Sequence, residues 1–143
     1  MQRDIQNGLE VWTDSFLPVV ATARKGIAID TQGFDAVMFS FDARDNSAAA
    51  VKHVLTSADS IPIVIEESDA SGSGFAAIDA IKYLPTGDDL KMEPQLATGA
   101  VKTIGCTSTK RYVRISVDAV TLDSIASPNL LVVMTATLKK LSV

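Results

Sequence analysis

The stretch Lys110 to Val120 constrains the fold more than any other. From Tyr112 onward, Val113, Ile115, Val117 and Ala119 share one parity while Arg114, Ser116 and Asp118 share the other, which is the period-2 signature of a strand with one buried face. Its β-branched residues suit a pleated surface. The polar run from Gly105 to Lys110 serves as the turn that delivers the chain into this strand. The other apolar stretches are therefore expected to pair with it or pack against it.

Several of those stretches read as strands in their own right. Gly26 opens Ile27 to Asp30, and after the turn Thr31 to Asp35 a second strand runs from Ala36 to Ala43, with Val37, Phe39 and Phe41 on one face. The short Gly-containing link makes the two a hairpin or a tight corner. Ile61 to Ser68 is a strand whose Pro62 places it at a sheet edge or marks its first residues. It enters Asp69 to Gly74, read as a plain hairpin turn, and Phe75 to Tyr83 resumes as a strand with an irregularity such as a bulge. Ala100 to Cys106 and Leu130 to Leu138 complete the set.

Three segments resist this pattern. Residues 1–25 hold Leu9, Val11, Trp12, Phe16, Leu17, Val19 and Val20 without clean periodicity, and Pro18 interrupts either regular structure, so an irregular extended arm with a short helical turn is expected. Residues 46–57 read equally as a short helix or a strand. Leu84 to Gly99 carries too many breakers for a regular element, and a loop of that length is usually functional or partner-bound.

Seven or eight strands with turn signals between them, and at most one helix, define an all-β chain folded as an antiparallel β-sandwich of jelly-roll or Greek-key type. At 143 residues the size fits one sandwich domain, 26–143, behind the arm. The chain is 47% hydrophobic and 21% charged, which excludes disorder. No stretch reaches the roughly 18 apolar residues of a membrane-spanning helix, and the N-terminus lacks the basic-then-apolar pattern of a secretory signal. A net charge of -4 argues against binding nucleic acid.

Catalytic chemistry finds little to work with. The chain has one Cys and one His, Cys106 and His53, and a nucleophile-base site or a metal centre needs more partners than that. Glu66 and Glu67 point to opposite faces of a strand and so form no glycosidase dyad; they read as solvated strand-end carboxylates. The Asp69 to Gly74 loop lacks the Lys-Ser/Thr of a phosphate loop and the acidic alternation of a calcium loop. Asp88, Asp89 and Glu93 read as a solvated loop rather than a cation site. No catalytic residue, cofactor or metal is expected, and the chain is not expected to be an enzyme.

One resemblance stands out. The run Ile65-Glu66-Glu67-Ser68-Asp69-Ala70-Ser71-Gly72, followed later by Lys110-Arg111-Tyr112-Val113-Arg114, together with Ile29 to Val37, resembles the small β-sandwich head decoration, or cement, proteins of tailed bacteriophages. The resemblance covers Gly26 to Leu138, and the sequence departs from that pattern at 46–60, at Leu84 to Gly99 and in the arm. It implies a structural virion protein, made in the host cytoplasm, that sits on the capsid exterior and bridges subunits of the major capsid protein. Homo-oligomers, dimers or trimers, are common among such surfaces. Under that role the apolar residues outside the regular strands, Trp12, Phe16, Leu17, Leu90 and Met92, are expected at interfaces, with Arg111 and Arg114 as ion-pair contacts to an acidic shell. Trp12 and Phe16 capping the protein's own sandwich is the plainer alternative. A tail or head-tail completion component, or a carbohydrate-binding sandwich using Trp12, Tyr83 and Tyr112, are the competing functions.

Overall fold

The strand Tyr112–Val117 lies at the middle of a sheet. In the computed structural model, which describes residues 9–19, 23–45, 61–79, 82–84, 100–121 and 130–140, ten strands form two antiparallel sheets. They are β1 (Leu9–Val19), β2 (Arg24–Lys25), β3 (Ile29–Asp30), β4 (Ala36–Asp45), β5 (Ile63–Ser68), β6 (Ala76–Ala77), β7 (Tyr83–Leu84), β8 (Ala100–Cys106), β9 (Tyr112–Val117) and β10 (Leu130–Lys139). The first sheet runs β1-β10-β4-β8-β7, and the second runs β2-β9-β5-β6 with β3 also on β9. No α-helix occurs among the described residues. The antiparallel sandwich read from alternation is the fold.

Strand β9 is held by β5 on one edge and by β2 and β3 on the other. Val113, Ile115 and Val117 are fully buried, as the alternation requires. Facing them across the sandwich are Val37 and Phe39 of β4, Ile104 and Cys106 of β8, and Met134, Ala136 and Leu138 of β10. Burying side chains of this size contributes about 1.5–3 kcal/mol each. One continuous core therefore holds both sheets.

The pairing is nested. The first strand pairs with the last, β2 and β3 with β9, β4 with β8, and β5 with β6. Extra ladders β10-β4 and β5-β9 fuse these pairs into sheets. A chain that is folded like a long hairpin and then rolled produces this order.

Two sequence expectations change in the structure, and a third, left open between two alternatives, is resolved. The irregular arm expected over residues 1–25 is, through Leu9–Val19, a regular strand paired with β10 from Leu9 opposite Lys139 to Phe16 opposite Val132. Backbone pairing to a long neighbour set its conformation where side-chain periodicity gave no guide, and the only irregularity is a register shift between Phe16 and Val19, where Pro18 has no N–H for the ladder. The link from β3 to β4 is the corner and not the hairpin, since β3 belongs to the second sheet and β4 to the first; Gly33, at φ 87°, makes the turn. The irregularity after Phe75 is a change of sheet, with β6 on β5 and β7 on β8. Residues 46–57, with His53, and the loop positions 85–99 lie outside the described residues.

Candidate docking surface

The two motifs Ile65 to Gly72 and Lys110 to Arg114 sit side by side, because β5 pairs with β9 from Ile63 opposite Val117 to Ser68 opposite Tyr112. That register puts Glu66 directly across from Arg114. Alternation turns both to the outer face of the second sheet.

Glu66 is the hub of this face. Arg114 Nε donates to its Oε2 at 2.7 Å, Ser116 Oγ donates to the same oxygen at 2.7 Å, and Lys25 Nζ donates to Oε1 at 3.0 Å. The Arg114 guanidinium also lies 4.0 Å from the Phe75 ring centroid, a stacking geometry favourable for a delocalised cation. Burial works against the Glu66 charge, but the hydrogen bonds from Ser116, Arg114 and Lys25 and the charge of Arg114 outweigh it and bring its pKa down to about 2. The solvated strand-end carboxylate expected here is thus a buried, three-donor anion. One outer-face stripe ties β2, β9 and β5 together.

Glu67 is the second correction to the solvated reading. It accepts from Lys82 Nζ, and Ser108 Oγ donates to its Oε2 at 2.7 Å. Burial again opposes the charge, and Lys82 and Ser108 prevail, holding the carboxyl below its usual range. Since Lys82 precedes β7 and Ser108 follows β8, Glu67 clasps the two sheets at one end.

The exposed rim at that end carries two further ion pairs. Arg111 grips Asp30 through Nε at 3.2 Å to each oxygen and Nη2 at 2.8 Å to Oδ2, a bidentate geometry that lowers the Asp30 pKa, with the Gln32 backbone N–H assisting. Thr31 reinforces the joint, its N–H and its hydroxyl each donating to the Arg111 carbonyl at 2.8 Å. Lys110 pairs with Asp69, which raises the lysine pKa. The hairpin bearing Asp69 is built as the turn chemistry predicts. Ser68 Oγ accepts from the Ala70 N–H at 3.0 Å and donates to the Ser73 carbonyl at 2.6 Å. Beside it lies an open cleft of about 450 Å³ whose lining includes Glu67, Asp69, Ser73 and Lys110.

Of the interface residues read from sequence, Arg111 lies on the rim with its side chain 48% exposed, whereas the Arg114 side chain is 21% exposed and engaged with Glu66 and Phe75. Trp12 and Phe16 stand on β1 opposite Ala136 and Val132, and Leu17 falls in the register shift. Leu90 and Met92 lie outside the described residues. Lys25, Lys82, Ser108 and Ser116 were not singled out by sequence reasoning, because only the strand register reveals whom they face. A charged residue on each of two adjoining strands was the signal available.

Cys106 is fully buried, and burial, aided by the nearby Glu67 charge, pushes its thiol up to about 12. A thiol held so far from ionisation is a poor nucleophile. Native protein is therefore expected to resist iodoacetamide at pH 8, reacting only when denatured; stoichiometric labelling of folded protein by mass spectrometry would contradict this. His53, its only conceivable catalytic partner of that type, lies outside the described residues, as do Asp88, Asp89 and Glu93. Among the described residues no group of three or more His, Cys, Asp or Glu side chains could hold a metal.

No family model matches the chain, and no curated protein does. Among solved structures, the SPBc2 prophage-derived protein YomS aligns with a TM-score of 0.44 at 13% identity, over 90% of this chain and 94% of its own. A structure described as Bacillus endospore appendages, a family of disulfide-linked pili, aligns at 0.41 and 14% over 93% and 88%, and FLHE at 0.39 and 10% over 94% and 99%. At these values the likenesses carry no functional assignment.

Proposed function

We propose that this chain is a structural protein of a phage particle, a decoration protein that binds the outside of the head and stabilises it by bridging subunits of the major capsid protein. The observation that carries this reading is the convergence of three stretches, Ile29 to Val37, Ile65 to Gly72 and Lys110 to Arg114, which resemble the phage cement proteins and here interlock at one end of the sandwich through Asp30–Arg111, Asp69–Lys110 and Glu66–Arg114. The antiparallel β-sandwich with its nested strand order supports it, since two-sheet antiparallel folds serve viral capsid domains and also lectins. A cement protein works by mass action, lowering the free energy of the assembled shell through binding. What it needs is a stiff body with a fixed rim. The five-donor clasp around Glu66 and Glu67 from Arg114, Ser116, Lys25, Lys82 and Ser108 gives that stiffness.

Co-sedimentation with undecorated capsids tests the proposal. Removing residues 1–20 would delete an edge strand of the first sheet, so rim variants are the cleaner probe. The double variant Lys110→Ala, Arg111→Ala is expected to bind about tenfold more weakly than wild type. Failure of wild-type protein to sediment with capsids would overturn the reading.

A further inference from the structure

The connection between β8 and β9, residues 107–111, is held at every position. The Thr107 N–H donates to the Lys82 carbonyl at 2.9 Å, and Lys82 Nζ donates to Thr109 Oγ1 at 3.2 Å. Ser108 Oγ donates to Glu67 Oε2 at 2.7 Å and accepts from the Lys110 N–H at 3.0 Å, so it carries the grip of β5 on into the loop. The Thr109 backbone N–H donates to Glu67 as well, and Lys110 Nζ pairs with Asp69. At the far end Thr31, itself buried, sends both its N–H and its hydroxyl to the Arg111 carbonyl, each at 2.8 Å. Loops are ordinarily the loosest parts of a fold. Here the backbone is pinned while the Lys110 and Arg111 side chains stand 45% and 48% exposed.

We infer that Ser108 and Thr31 are positioning residues for docking, fixing the backbone beneath Lys110 and Arg111 before the partner arrives; the inference rests on the reading of this rim as the capsid contact. Neither side chain needs to touch the shell. A partner that meets an ordered loop does not have to order it, because the conformational entropy otherwise lost on association is already lost on folding. The two hydroxyls act at opposite ends of the loop. Ser108 bonds the amide two residues ahead, a local turn that sets the direction of the chain at Lys110. Thr31, in the corner between the sheets, fixes Arg111 just before the chain enters β9. Asp30 beside it then sets the guanidinium, so the corner holds Arg111 by backbone and by side chain. Neither hydroxyl belongs to the apolar core that joins the sheets, and the Arg111 carbonyl keeps the Thr31 N–H when the hydroxyl is removed. Their loss is therefore expected in binding more than in folding.

Capsid co-sedimentation of the full chain carrying Thr31→Val and Ser108→Ala tests this. The pair is expected to bind about tenfold more weakly than wild type, and Thr31→Ser with Ser108→Thr, which keeps both hydroxyls, to recover most of the loss. Position matters only while the positioned side chains are there. In a Lys110→Ala, Arg111→Ala background the same pair is therefore expected to cost nothing further, a result that a general loosening of the fold would not give. Hydrogen exchange of the free chain supplies a readout without capsids, the Lys110 amide being expected to exchange about tenfold faster in Ser108→Ala than in wild type. Ser108→Ala alone carries both measurements if the pair does not fold. Wild-type protein that fails to sediment overturns the docking reading and this use of the loop with it. Where wild type does bind, equal exchange in wild type and Ser108→Ala, unchanged binding by the pair, or the same tenfold loss in the Lys110→Ala, Arg111→Ala background would each overturn the inference alone.

Discussion

Replacing Glu66 with Ala is expected to lower the unfolding free energy by about 3 kcal/mol. The substitution strands the fully buried Ser116 hydroxyl and removes the shared partner of Arg114 and Lys25. Because the Lys25 side chain is 46% exposed and can return to water, the loss sits at the low end for a broken buried pair. The same carboxylate sets an acid limit. Its pKa falls from an ordinary 4.5 to about 2 in the folded protein, so its contribution is complete above pH 4.5 and is lost as the pH drops toward 2, a span equivalent to about 3 kcal/mol. Urea denaturation of wild type from pH 6 to 2 should show that decline, and Glu66→Gln should flatten it. A wild-type profile no steeper than that of Glu66→Gln would contradict the account of Glu66.

Replacing Phe39 with Ala is expected to cost more, about 4 kcal/mol. Phe39 is fully buried on β4, the strand between β10 and β8, with Ile104 and Ala136 opposite it in the ladders. Ala136 is too small to fill the space a missing ring would leave. In a chain of this length the loss corresponds to a fall in Tm of about 10–15 °C. By contrast, Met38→Ala on the opposite face of the same strand is expected to change Tm by less than about 2 °C. Calorimetry of the pair checks the assignment of faces on β4, and equal losses would refute it.

That assignment was legible in the sequence, as was most of the sandwich. Val113, Ile115 and Val117 announced β9 by alternation, and Val37 and Phe39 did the same for β4, because one face of each is wet and the other dry. Alternation fades where the chain leaves the sheet, so Ala119 is exposed although it continues the parity. β1 was hidden for a different reason. Its residues satisfy no period, and the long open edge of β10 decides their conformation. Turn chemistry around Gly33 marked a reversal but not its destination, since a corner between sheets and a hairpin within one use the same residues.

The candidate docking end was half legible. Its two stretches could be picked out by residue type, yet the roles of Glu66 and Glu67 could not, because a carboxylate's state depends on cross-strand neighbours that sequence separation conceals. Arg114 is 48 residues from Glu66, and Lys25 is 41. Reading Arg114 as an outward-reaching cation followed from its place on the wet face of β9. Its guanidinium instead serves the sheet, and Arg111 remains the more exposed of the two.

Cryo-electron microscopy of the purified protein mixed with undecorated capsids tests the central claim most directly. The account predicts sandwich-sized density on the outer shell, bridging neighbouring capsid subunits, with the rim of Asp30, Lys110 and Arg111 turned toward the shell. Bare capsids beside rings or tubes assembled by the protein alone would contradict it and would make the chain a tail component.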